Sequence, residues 1–180
     1  MNESTEKPKA KVYIDGANIF YSQKKMGWVL DWVKVKQHLG QEKDVIEWRY
    51  YVGLREGDQK MLKYLRYLNA IGFNPITKPL KQIKVSDFER FPQAQSTGYI
   101  YKSNFDVEMS LDMVLDKASF SEVILFSGDS DFNFTVKKLG DLGKKAVVVS
   151  SKKTLSWELK LACSNVIYLE ELKQKIYRDK

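Results

Sequence analysis

The chain has 180 residues, 30 lysines and arginines against 23 aspartates and glutamates, one histidine and one cysteine, for a net charge of +7. That length is the size of one domain, and the 43% hydrophobic content belongs to a folded rather than a disordered chain. Cys163 has no partner for an internal disulfide, and with His38 it leaves too few ligands for a Cys/His zinc site. Any hydrolytic chemistry therefore falls to carboxylates, and the scarcity of cysteine predicts a cytoplasmic protein.

In chain order, residues 1–10 read as a disordered lead without the apolar core of a signal peptide. Val12-Tyr13-Ile14 is the first of four short apolar runs; the others are Val123-Ile124-Leu125-Phe126, Ala146-Val147-Val148-Val149 and Val166-Ile167-Tyr168-Leu169. Their unbroken, β-branched character is that of strands buried on both faces. Residues 45–54 make a fifth candidate, placed nearer an edge by Trp48, Tyr50 and Tyr51. Residues 57–70 carry a helical stripe of Met61, Leu62, Leu65 and Leu68, with Gly72 as its C-cap. Residues 74–102 follow neither period and contain Pro75, Pro79 and Pro92, which predicts a strand end plus a long loop or hairpin. A helix over 105–118 is expected to bury Val107, Leu111, Val114, Leu115 and Ala118, and the next to bury Phe132, Val136 and Leu139. Residues 170–180 read as a terminal helix, and Trp28, Trp32, Trp48 and Trp157 as core rather than base-stacking platforms, with a partner-binding patch as the alternative for Trp28 and Trp32. No apolar stretch approaches the roughly 20 residues that span a bilayer. The alternation predicts an α/β three-layer sandwich with a mainly parallel sheet over 11–172, residues 173–180 forming the end of the C-terminal helix.

Open α/β sheets bind ligands outside the carboxyl ends of their strands. Asp15 follows the first run, Asp129 and Asp131 follow the second, and Asp106 opens a helix expected to start at the same edge. Singly, each reads equally well as a turn residue, a helix cap or a charge complementing a helix dipole. Together they form a cluster of like charges that a hard divalent cation, Mg²⁺ or Mn²⁺, would neutralise.

The segments Ile14-Asp15-Gly16-Ala17-Asn18-Ile19-Phe20-Tyr21, Phe105-Asp106-Val107 with Asp112 downstream, and Ser127-Gly128-Asp129-Ser130-Asp131-Phe132 resemble the three signatures of NYN domains of the LabA-like branch, relatives of PIN-domain nucleases. The resemblance runs from about Lys11 to Leu172. It implies a PIN-like (Rossmann-like) fold and a Mg²⁺- or Mn²⁺-dependent ribonuclease. Asp15, Asp106, Asp129 and Asp131 would be its catalytic and metal-binding acids, with Asn18 and Ser127 as supports. Asp112 lies six residues past Asp106, about 120° around an ideal helix, and is read as a supporting residue. Where the family has Lys-Gly-hydrophobic before the middle acid, this chain has Ser103-Asn104-Phe105, with Lys102 one position further away.

For RNA, single-stranded or structured, the central segment offers Lys78, Lys81, Lys84, Arg90 and Lys102 interleaved with Phe88, Phe91, Tyr99 and Tyr101. Ser150, Lys152 and Lys153 offer phosphate contacts after the third run. Aromatic pins to the core and an ordinary solvated turn are the structural alternatives. The rival reading is a non-catalytic RNA-binding or regulatory adaptor with the same fold, and a flap-type DNA nuclease is a third. The sequence leaves oligomeric state open, a homo-oligomer included.

Overall fold

The computed structural model describes residues 6–84 and 98–179. In chain order the elements are β1 (Lys9–Asp15), α1 (Gly16–Met26), α2 (Trp32–Gly40), β2 (Asp44–Leu54), α3 (Gln59–Ala70), β3 (Asn74–Pro79), β4 (Lys81–Lys84) and β5 (Tyr99–Lys102). They continue with α4 (Asp106–Leu115), β6 (Glu122–Phe126), α5 (Asn133–Asp141), β7 (Lys145–Ser150), α6 (Trp157–Ala162), β8 (Asn165–Tyr168) and α7 (Lys173–Ile176). Six strands form one sheet in the order β3-β2-β1-β6-β7-β8, every neighbouring pair parallel. The chain builds outward from β1 in one direction through β2 and β3, then returns to β1's other side and builds through β6, β7 and β8. β1 is therefore the topological switch point.

Period-two alternation sends residues to two cores. Val12 and Ile14 face the layer of α1, α2, α3 and α7, where the Trp32 ring meets the edges of Tyr50, Phe73 and Phe126 at 5.8, 5.5 and 5.7 Å. Tyr13, Val123, Leu125 and Val148 face α4, α5 and α6. Double-sided burial is why these strands read as continuous apolar runs. β2 lies one strand in from the edge, and its Trp48, Tyr50 and Tyr51 are buried.

Several expectations need correction. Helix α4 buries Met109 and Met113, with Phe105 just before it, while Val107, Leu111 and Leu115 are 77%, 55% and 69% exposed and Ala118 is exposed. The helix is rotated because Asp112 and Asp116 reach back to β1 and β2. Trp157, expected in the core, is 65% exposed at the first position of α6. β1 starts at Lys9, with Ala10 fully buried, inside the expected lead. The terminal helix shrinks to four residues, after which Tyr177 bridges to Leu30.

Residues 74–102 supply the edge strand β3 and an antiparallel β4–β5 hairpin. Phe88, Arg90, Phe91 and Pro92 lie outside the described residues. The hairpin is rooted at the carboxyl end of β2: the Leu80 amide donates to the Leu54 carbonyl at 3.1 Å. A Cβ on Gly53 would collide with both the Leu80 side chain and Ser103 Oγ, so this glycine lets the segments before and after the hairpin cross β2. Among the described residues no helix is long and apolar enough to cross a membrane.

Candidate metal centre

The crevice flanking β1 opens between the carboxyl ends of β1 and β6. Asp15, the last residue of β1, caps α1: its Oδ1 accepts the Asn18 amide at 3.0 Å, and its Oδ2 accepts the Ser127 hydroxyl at 3.3 Å. Asn18 Oδ1 in turn accepts the Gly128 amide at 3.0 Å, and Ser127 Oγ accepts the Asp129 amide at 3.2 Å. Asp129 Oδ1 accepts the Asp131 amide at 3.1 Å. The two strand ends are thus joined side chain to backbone, and each donor fixes the next acid. Gly128 is required because a Cβ there would strike the Thr154 carbonyl.

The third segment of the site is the start of helix α4. The Asp106 amide donates to Asn104 Oδ1 at 2.9 Å, which sets the entry of this helix. Carboxylate oxygens of Asp106, Asp129 and Asp131 all lie within 4.8 Å of one another. Asp15 is not one of these three; it sits beside them, half-buried, with an oxygen on each of its two donors.

Burial pushes the Asp106 carboxyl up to about 6, with the charges of Asp129, Asp15 and Asp131 adding to it against the opposing Asn104 hydrogen bond. Burial also raises Asp15, outweighing its hydrogen bonds from Asn18 and Ser127, and Asp129 adds to the rise. Partial compensation comes from topology: α1 and α4 begin at this rim, and their positive N-terminal ends favour the nearby acids. Three carboxylates without histidine or cysteine make an all-oxygen donor set, which suits Mg²⁺ or Mn²⁺ and not zinc.

A family model for the NYN domain matches residues 9–170. The chain belongs to the NYN domain family. It is 28% identical over 167 residues to the low amplitude and bright protein LabA of Synechococcus elongatus, covering 92% of this chain and 86% of that protein. The crystal structure of a protein of unknown function from Vibrio parahaemolyticus RIMD 2210633 superposes with a TM-score of 0.78 at 22% identity, over 98% of this chain and 99% of that one. It shares the fold.

In this NYN domain Asp112 stands away from the cluster of three acids. Its Oδ2 accepts the Tyr51 hydroxyl at 2.7 Å and pairs with Arg49 Nη1 at 3.2 Å. Arg49 also binds Asp116 at 2.8 Å and Glu47, and Asp116 accepts from Tyr13 at 2.9 Å and Lys11 at 3.1 Å. Burial alone would raise the Glu47 carboxyl, but Arg49 and Lys11 hold it down at about 2. This network clamps the C-terminal half of α4, opposite the end that carries Asp106.

The loop after β7 is folded on its own acids. Ser151 Oγ and the Lys152 amide both donate to the Glu170 carboxylate, at 2.6 and 3.1 Å, and Lys152 Nζ pairs with Glu171 at 2.7 Å. Ser150 is buried with its Oγ 3.4 Å from Thr154 Oγ1, and Lys153 Nζ donates to the Lys25 carbonyl at 3.0 Å. Lys102 lies on β5 directly across from Lys81. Sequence reasoning gave Asn104 no part in the site, since it stands where the family's Lys-Gly-hydrophobic signature has glycine. Trp157, read as core, is exposed; a tryptophan's hydrophobicity argues for burial whether or not the fold provides it.

Proposed function

We propose that this protein is a divalent-metal-dependent ribonuclease that hydrolyses RNA phosphodiester bonds at the aspartate cluster. The observation that carries the reading is the convergence of Asp106, Asp129 and Asp131 oxygens within 4.8 Å at the switch-point crevice of an NYN domain. Those three acids would hold Mg²⁺ or Mn²⁺, with Asp15 adjoining. Such a cation, when bound, supplies charge neutralisation at the phosphate and a lowered pKa for a coordinated water. Asn18 and Ser127 hold the two strand ends in register and orient Asp15 and Asp129. A chain of net charge +7 around an acidic crevice favours a polyanionic substrate at its surface.

The test compares labelled RNA and DNA of one sequence with Mg²⁺, with Mn²⁺ and with EDTA, using the wild type and Asp129→Asn. RNA cleavage that needs the metal and is lost in a folded Asp129→Asn variant is the expected outcome. Cleavage that survives EDTA or this substitution overturns the mechanism. Tight RNA binding without turnover in either metal replaces it with the adaptor.

A further inference from the structure

Two aromatic and cationic patches stand at the carboxyl edge of the sheet, on opposite sides of the acids. On the β2 side, Arg55, the residue after β2, places its guanidinium 4.5 Å from the ring centroid of Tyr101 on β5. Lys81 and Lys102 are directly opposed across the hairpin, on the face away from Tyr101 because successive strand residues alternate sides, so Arg55 is the cation of this patch. On the far side, Trp157 at the start of α6 and Tyr168 at the end of β8 line a cleft of about 490 Å³. Lys160 Nζ lies over both rings, at 5.5 and 6.0 Å. Lys152 Nζ also lies over Tyr168, at 5.1 Å, but it is paired with Glu171; Lys160 is the cation shared by the two rings.

The acids lie between. Asp15 ends β1 and Asp129 follows β6, the two strands separating β2 from β7. With neighbouring strands about 4.8 Å apart, the patches stand about 15–20 Å from one another across the rim, a span of a few nucleotides. The far patch is tied to the site directly, because the Ser156 amide, one residue before Trp157, donates to the Gly128 carbonyl at 2.8 Å. On the near side only Ser103, Asn104 and Phe105 separate β5 from Asp106. Exposed rings topped by cations suit stacked bases with phosphates between them, whereas a duplex hides its base faces.

We propose that these patches are two clamps of one track, which holds a single strand of nucleic acid by base stacking on Tyr101 and Trp157 and draws it across the aspartates. The proposal deepens the ribonuclease reading and names its substrate's form, but it stands on binding alone.

The test is fluorescence anisotropy in EDTA, where nothing is cut, with a labelled 20-nucleotide oligouridylate, an abasic strand of equal length and charge, and an RNA duplex. Tyr101→Ala and Trp157→Ala are each expected to weaken oligouridylate binding at least about fivefold and to leave abasic binding unchanged. Arg55→Gln and Lys160→Gln are expected to weaken both strands. Both aromatic side chains are exposed, so thermal melts should match the wild type, and the Arg55 and Lys160 variants carry the test if either aromatic variant fails to fold. Equal binding of the abasic strand and oligouridylate, tighter binding of the duplex, or aromatic variants within twofold of wild type would overturn the track. Stacking-dependent binding without cleavage in Mn²⁺ would keep the track and remove the nuclease; cleavage with unaltered binding by the aromatic variants would do the reverse.

Discussion

Asp106 departs from the ordinary aspartate in the direction opposite to most acids of folded proteins. Its carboxyl titrates near 6, above the 3.8 of an exposed aspartate, so the folded state binds this proton better than the unfolded state does. The stability it confers is present in full below about pH 4 and is lost as the pH rises through about 6. A bound cation needs the same oxygen deprotonated, so its stabilisation should have the reverse dependence. We expect about 1 mM Mn²⁺ to raise the melting temperature by several degrees at pH 7.5 and hardly at all at pH 5, and the pH dependence to flatten in Asp106→Asn. Differential scanning fluorimetry measures both; a Mn²⁺ shift independent of pH between 5 and 7.5 would contradict this. At this scale the acids were readable because each follows an apolar run or opens a helix. Asn104 was not, since its part is to accept one backbone amide, which leaves no trace in hydropathy or spacing.

Helix α4 shows how a correct period can carry a wrong phase. The apolar positions 107, 111 and 115 repeat every four residues, but the face turned to the sheet belongs to Phe105, Met109 and Met113 together with Asp112 and Asp116. Reading hydrophobicity alone assigns acids to solvent. Here the sheet beneath presents Lys11, Arg49, Tyr13 and Tyr51, partners that lie far away in sequence and only the fold assembles. Met109→Ala should cost about 2–5 kcal/mol in urea unfolding, and Leu111→Ala no more than about 0.5 kcal/mol. The opposite ranking would show that the helix is turned the other way in solution. Other elements were legible in detail, as with Leu65 and Leu68 under α3 and Phe132, Val136 and Leu139 around α5, because no charged residue displaces the apolar ones from those contacts.

For the molecule as a whole, alternation of strands and helices was enough to give the class, and the crevice followed from the rule that carboxyl ends gather ligands. The sheet order was not legible, since nothing in the run of residues says that the chain returns to β1 after β3. The β4–β5 hairpin was legible only as one of two alternatives, a long loop or a hairpin, because it packs on little and so needs no apolar pattern. Both of its connections cross β2 over Gly53, where Leu80 and Ser103 come together above one missing side chain. The hairpin is therefore joined to the domain like a graft, with its entry and exit stitched side by side. Replacing residues 81–102 by a short Gly-Ser turn should leave the melting temperature within about 5 °C of wild type and keep its Mn²⁺ shift, since none of the four aspartates lies in the excised piece. Loss of the Mn²⁺ shift would mean that the graft also shapes the site. If the shift stays, relatives could exchange such arms as interchangeable heads on one blade, and the same six-stranded domain could be redirected to new strands without rebuilding its acids.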